Sequence, residues 1–212
     1  SWLTIIVTMT PRPRNFDGAS ALQVAKDLFW IQGIEATSMQ NLVDTMKIGR
    51  QSLYNTFGDK STLFLRTLAL YEDEIQLTAL AGLNRKDAGS AQVVAFLRGL
   101  LENLASQEPR CGCFLMNAIL ELSNSNESVM RIAQKFRASL ITSIENALAR
   151  SAARFDIDPN LDVHSLALQI SNTAMGLGLT WKSGATKQEL SMIVEGAIAQ
   201  FAPSESLAEL HP

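Results

Sequence analysis

Apolar residues along this chain recur at intervals of three to four almost throughout, and no stretch keeps the strict alternation that a half-buried strand requires. Met39, Leu42, Val43 and Met46 fall at i, i+3, i+4 and i+7, the stripe of a short amphipathic helix, and Thr37 with Gln40 predicts a capping box at its start. After Lys47-Ile48-Gly49 a second short segment places Leu53 and Phe57 one turn apart on an inner face. Arg50, Gln51, Ser52, Tyr54 and Asn55 are left outside, and these are side chains suited to base edges and phosphates. The pattern predicts helices at about 17–32, 38–46 and 50–57, with Gly58 ending the third.

Beyond Gly58 the same periodicity continues. Asp59 is expected to cap a long helix to about residue 82, with Phe64, Leu68, Tyr71 and Ile75 on one face; at about 1.5 Å per residue it would span roughly 35 Å. Ser90 is the expected cap of a fifth helix carrying Val93, Leu97, Leu100 and Leu104, and Pro109 to Gly112 interrupts it. A sixth helix at about 113–123 and a seventh at about 126–155 follow, the latter marked by Val129, Ile132, Phe136, Leu140 and Leu148. From about 162 to 182 apolar residues cover two faces, Leu166, Ile170, Ala174, Leu177 and Trp181 on one and Leu168, Met175 and Leu179 on the other, which predicts burial from both sides. Gly176 and Gly178 inside that helix each cost about 1 kcal/mol relative to Ala, so a close helix approach or a bend is expected there. A last helix at about 186–201 carries Leu190, Ile193, Val194, Ala197, Ile198 and Phe201 on a single stripe.

Composition narrows the class: of 212 residues 47% are hydrophobic and only 18% charged, which describes a well-buried chain instead of a disordered one. The net charge of −3 argues against a nucleic-acid partner only until it is divided along the chain. Residues 1–60 hold six Lys and Arg against five Asp and Glu, whereas the remainder holds twelve against sixteen. The cations of the first part sit in an arm (Arg12, Arg14), a turn (Lys47) and a helix start (Arg50), where they can face one polyanion. Two cysteines and no secretory signal indicate a reducing, cytoplasmic setting. The apolar residues 1–9 are too few to span a membrane and lack a charged n-region, so no membrane partner is expected; Met9, directly ahead of the arm, reads as the natural start, with the first eight residues an extension.

The ordered array from Phe16 to about Leu65 resembles the amino-terminal domain of the TetR family of bacterial repressors. It comprises a first helix with Ala21, Ala25, Leu28 and Phe29, a Gly33 break, Ala36-Thr37-Ser38, then Ser52-Leu53-Tyr54, Phe57, Lys60 and Leu63. Two positions depart from the family pattern: Lys47 stands where the turn often has Gly, and Gly49 where the recognition helix often has a Ser or Thr cap. The resemblance implies an all-α protein with residues 16–58 as a three-helix, helix-turn-helix DNA-binding domain and residues 59–203 as a helical ligand-binding and dimerisation domain. Residues 1–15 are then an extension and basic arm, and 204–212 a tail.

Further expectations follow from that resemblance. Thr37, Ser38, Arg50, Gln51, Ser52, Tyr54, Asn55 and Lys60 would contact operator DNA, Tyr54 and Lys60 at phosphates and Arg50, Gln51 and Asn55 at bases, while Arg12 and Arg14 would enter the adjacent minor groove. An inducer would lie among helices four to eight near Cys113, Asn117, Glu121, Asn172, Thr173 and Trp181, and no cofactor is implied. Leu190, Ile193, Val194, Ala197 and Ile198 would form the homodimer interface. The pair Gly112-Cys113 resembles a thiol-sensing position of some family branches, its thiolate favoured by a helix amino terminus and by Arg110. The two sulfurs with His164 and His211 make no familiar four-ligand zinc set. Two other classes remain open from sequence: a cysteine-dependent enzyme with Cys113 as nucleophile and His164 as base, lacking an evident third residue, and a regulator controlled by a protein partner.

Overall fold

A computed structural model describes residues 17–122 and 126–202, and among these the chain is all-α. The arm with Arg12 and Arg14, the extension at 1–8 and the tail after Pro203 lie outside the described residues.

α1 (Gly18–Gln32) starts where the Asp17 carboxylate accepts the N–H groups of Ala19 and Ser20, and it ends at Gly33, whose φ of 82° favours glycine. α2 (Met39–Met46) is capped by Ser38 with Asn41 as its reciprocal partner, one residue later than Thr37 with Gln40. Thr37 is instead fully buried, its hydroxyl donating to the Gly33 carbonyl at 2.6 Å, because the chain needs that turn closed before the helix can begin. Lys47 takes the left-handed conformation (φ 53°) and Gly49 caps α3 (Arg50–Phe57) without a side-chain bond, so both departures from the family pattern leave this turn with less local support.

α4 (Lys60–Leu77), capped by Asp59, stops short of the expected residue 82. The cause is tertiary: Leu80 and Leu83 are buried by turns that fold back, and the guanidinium of Arg150 holds those turns by donating to the carbonyls of Ala88 (2.7 Å) and Leu83 (3.2 Å). α5 (Ser90–Ala105) is capped by Gly89 with Gln92; Ser90, the expected cap, faces Ser151 of α7 (Glu127–Ala153). α6 (Phe114–Leu122), α8 (Val163–Lys182) and α9 (Lys187–Ile198) complete the carboxy-terminal part. α7 packs along α8, and α5 packs against α7, α8 and α9, with Arg98 of α5 in a bidentate pair with Glu195 of α9.

The close approach expected near the paired glycines is real at Gly178. A Cβ there would stand 2.8 Å from the Cys113 nitrogen, and one on Gly112 (φ 69°) would stand 2.6 Å from the Gly178 carbonyl oxygen. Gly176 has open space on its outer side.

The stripe on α9 requires a correction. Leu190, Val194, Ala197 and Ile198 are buried within the chain itself, where α9 meets α5 and α8. Of the five residues expected at a subunit interface only Ile193 is exposed, at 41%. The outward apolar positions are Met192 and Ile193 of α9 with Leu168 and Leu179 of α8. A clean stripe is what a helix shows to its own core, and the residues left over form the second face.

Where α1, α4 and α6 meet, five aromatic rings interlock. Phe29 lies edge-on to Phe64 (5.2 Å), Phe64 to Phe114 (5.6 Å), and Tyr71 to both Phe114 (5.7 Å) and Trp30 (5.1 Å). This cluster joins the amino-terminal helices to the carboxy-terminal part.

Candidate functional site

α3 is held from within by Leu53 and Phe57, both buried, so its other face is presented at a defined angle. Its far end is tied to α4, for Arg66 donates to the Thr56 carbonyl at 2.8 Å and lies over the Phe57 ring. Arg50, Gln51, Ser52, Tyr54 and Asn55 are all exposed on that outer face, and Ser38 is exposed at the start of α2. Gln51 donates to the Asn55 side-chain oxygen at 2.9 Å, leaving the Asn55 amide N–H groups and the Gln51 oxygen outward as neighbouring donors and acceptor. Lys60 and Thr37 stand differently from this group. The Lys60 ammonium donates to the carbonyls of Ile34 (2.8 Å) and Thr37 (3.1 Å), and Thr37 is buried, so both serve the α1–α2 turn.

In the carboxy-terminal part a narrow apolar cavity of about 70 Å³ lies among α4, α5, α7 and α8, lined by Tyr71, Leu100, Gln107, Cys113, Phe136 and Met175 among others. A more open groove past Thr78, Gly82, Gln92 and Gly99 shares Ile75, Phe96 and Asn103 with it. Among the described residues no charged side chain lines the cavity. The Tyr71 hydroxyl donates to the Cys113 sulfur at 3.6 Å; burial, and then the neighbouring Cys113, push the phenol well above its usual range, so it stays a donor.

Of the six side chains expected around an inducer, Cys113 alone lines this cavity. Asn172 is exposed and Thr173 half-buried on the outer side of α8, because the face of α8 that meets the cavity is the one bearing Ala174, Met175 and Gly178. Trp181 is buried beneath the Arg110 guanidinium, 3.8 Å from its ring centre. Asn117 spans from the Cys111 carbonyl (2.8 Å) to the Lys182 ammonium (3.1 Å). Glu121 faces the α1–α2 turn, where its two oxygens accept the N–H groups of Ile34 and Glu35. Asn117, Glu121 and Thr173 bond instead to backbone or charged groups away from this cavity, the first two lining a separate groove beside Trp30 and Lys182, while the Trp181 indole meets Arg110 through its ring.

Tyr71, Asn103 and Gln107 are the polar lining residues that pattern reading missed. Tyr71 was legible only as a core position, and nothing local marks Gln107, whose amide grips Gly112 by accepting its N–H (2.8 Å) and donating to its carbonyl (3.1 Å). Arg110, expected beside the Cys113 sulfur, is turned onto Trp181 and donates to the Ala185 carbonyl at 2.9 Å. Burial raises the Cys111 thiol, and its sulfur faces the Pro109 carbonyl at 3.2 Å.

A Cys113–His164 catalytic pair is ruled out by placement. Cys113 packs at Gly178, whereas His164 meets Glu145 (3.1 Å) at the exposed start of α8. At about 1.5 Å per residue those two points on α8 are roughly 20 Å apart.

A family model described as bacterial regulatory proteins, tetR family, matches residues 21–67, and one described as tetracyclin repressor-like, C-terminal domain, matches residues 89–197. The HTH-type transcriptional repressor ComR of Escherichia coli (strain K12) is 28% identical over 183 residues, covering 86% of this chain and 87% of that protein. The HTH-type transcriptional repressor BdcR of the same strain is 30% identical over 141 residues, 66% of this chain and 69% of that one. Among solved structures, a cysteine-substituted form of the TetR family transcriptional regulator CifR, complexed with 26-base-pair double-strand operator DNA, aligns with a TM-score of 0.79 at 29% identity. It covers 90% of this chain and 100% of that one.

Proposed function

The chain belongs to the TetR family of bacterial transcriptional regulators, and from that premise we propose that it is a repressor that binds a palindromic operator as a homodimer and is released by a small ligand or by modification of Cys113. The observation that carries the DNA reading is the outer face of α3: five exposed polar side chains, Arg50, Gln51, Ser52, Tyr54 and Asn55, over a buried Leu53 and Phe57. The relatives named repressors and the operator-bound CifR support it. Arg50, Gln51 and Asn55 are assigned to bases and Tyr54 to phosphate, with Ser38 and Ser52 beside them. Thr37 and Lys60 support this face from behind.

Two-fold symmetry is supported by Leu168, Leu179, Met192 and Ile193, which leave an apolar face across α8 and α9 on the outside. Control by a ligand or thiol chemistry is supported by the apolar cavity that ends at Cys113. A ligand that fits the cavity in one spacing of the two recognition helices and not in the other shifts the equilibrium; equal affinity for both releases nothing.

The test is selection of an operator from random duplexes with the full chain, followed by titration before and after an uncharged alkylating reagent, for wild type and Cys113→Ser. Selection of a palindrome, and reagent-dependent release in wild type only, is the expected result. Failure to enrich any sequence would refute the DNA reading, and equal release of both proteins would refute the thiol reading.

A further inference from the structure

The carboxylate of Glu121 closes a contact between the two parts of the chain that does not pass through α4. Its Oε2 accepts the Ile34 N–H at 3.1 Å and its Oε1 accepts the Glu35 N–H at 2.6 Å, so both oxygens are used on successive amides of the α1–α2 turn. The carbonyls of the same turn are held from the other side by Lys60, and Thr37 closes it onto Gly33. Directly after this turn comes Ser38, the cap of α2. Gly33 is needed here twice over. Its φ is +82°, and a Cβ would stand 2.9 Å from the Glu121 Oε2, so a side chain would push the carboxylate off the turn.

The opposite end of α6 begins at the cavity. Cys113 lines it, Gly112 is gripped by Gln107, and the Gly112 carbonyl also accepts from the Trp30 indole N–H at 3.2 Å. This strand has no slack, because Gly112 and Gly178 are each too close to the other segment to accept a methyl group. From Cys113 to Glu121 is about 12 Å of helix at 1.5 Å per residue, short enough to move as one body.

We propose that Glu121 is a positioning residue for the helix-turn-helix, and that α6 carries displacement of the Gly112–Cys113 strand at the cavity to the α1–α2 turn, in parallel with α4. The inference rests on α2 and α3 being the DNA-contacting unit. Packed helices answer a small displacement at one end by shifting between discrete arrangements, and the two carboxylate bonds turn a shift of α6 into a shift of the segment that aims α2.

The experiment uses the full chain as wild type, Glu121→Ala, Gly178→Ala and the double variant, each checked by thermal melting. Gly178→Ala is the probe of the cavity end, since its methyl group must displace the strand at Cys113. Amide hydrogen exchange of Ile34 and Glu35 is expected to quicken by about tenfold or more in Glu121→Ala, and to change in Gly178→Ala only while Glu121 is present. Glu121→Gln retains one acceptor and is expected to leave one of the two amides protected. Titration with a selected operator should show Gly178→Ala altering affinity about fivefold or more with Glu121 and less than about twofold without it. Unchanged exchange at both amides in Glu121→Ala overturns the clamp. An equal effect of Gly178→Ala in both backgrounds, or none in either, overturns the relay. Should Gly178→Ala fail to fold, Gln107→Ala frees the same strand and takes its place. Absence of operator binding by the wild type would defeat the DNA reading alone, because the exchange measurements still decide the role of Glu121.

Discussion

α3 and α6 are helices of nearly equal length, 8 and 9 residues, and each mixes buried apolar positions with polar ones. On α3 the side chains of Arg50, Gln51, Ser52, Tyr54 and Asn55 are exposed and, among the described residues, bond at most to one another. On α6 Asn117 and Glu121 are bonded to backbone and to Lys182. The difference lies in the surroundings of each helix. A turn with free N–H groups stands within reach of Glu121, and a strand with a free carbonyl within reach of Asn117, and unmet backbone groups at partly buried places recruit whatever side chain can satisfy them. Among the described residues nothing of that kind stands before α3. An exposed polar face with no internal obligations is available to an outside partner, and a committed one is not.

The contrast between inner and outer faces is tested most severely on α9. Leu190→Glu places a carboxylate in the chain's own core, at a cost of several kcal/mol, and is expected to prevent folding; Ile193→Glu is expected to leave the thermal transition nearly in place and to shift the protein toward monomer. Light scattering and calorimetry decide it, and a folded dimer in Ile193→Glu would break the assignment of the outer face. On α3, Leu53→Ala should lower stability by about 2 to 5 kcal/mol, whereas Leu120→Ala, at a site 68% exposed on α6, should change it by about 0.5 kcal/mol or less; denaturant unfolding measures both.

Arg50→Ala should weaken binding to a selected operator by about 1 to 3 kcal/mol with sequence preference relaxed, and it should leave the melting temperature unchanged. Lys60→Ala should act the other way round, lowering stability through the freed carbonyls of Ile34 and Thr37 and affecting all DNA sequences alike. Titrations at several salt concentrations separate the two.

The smallest expected effect is on pH. The Thr62 backbone N–H holds the Asp59 carboxyl below its ordinary value of 3.8, and hydrogen bonds from Ser20 and Ala19 do the same for Asp17. A depressed acid contributes stability that is complete above the ordinary value and is lost as pH falls through the lowered one. Melting temperature should therefore drop on acidification below about pH 4, and Asp59→Asn should flatten that drop slightly. An identical acid profile for the variant would remove Asp59 from the account.

Helices and their order were legible in the sequence because they depend on local periodicity; of the three caps read there, Asp59 holds, whereas those expected at Thr37 and Ser90 fall one residue away, at Ser38 and Gly89. The exposed face of α3 was legible for the same reason, since a helix with Leu53 and Phe57 inside has only one outside. Tertiary structure decided the rest. It ended α4 at Leu77 so that Leu80 and Leu83 could be buried, used four residues of the α9 stripe in the chain's own core, turned Arg110 onto Trp181, and sent Glu121 to a turn 86 residues away in sequence. Each of these depends on which backbone group or apolar surface lies opposite, and sequence spacing carries no record of what lies opposite.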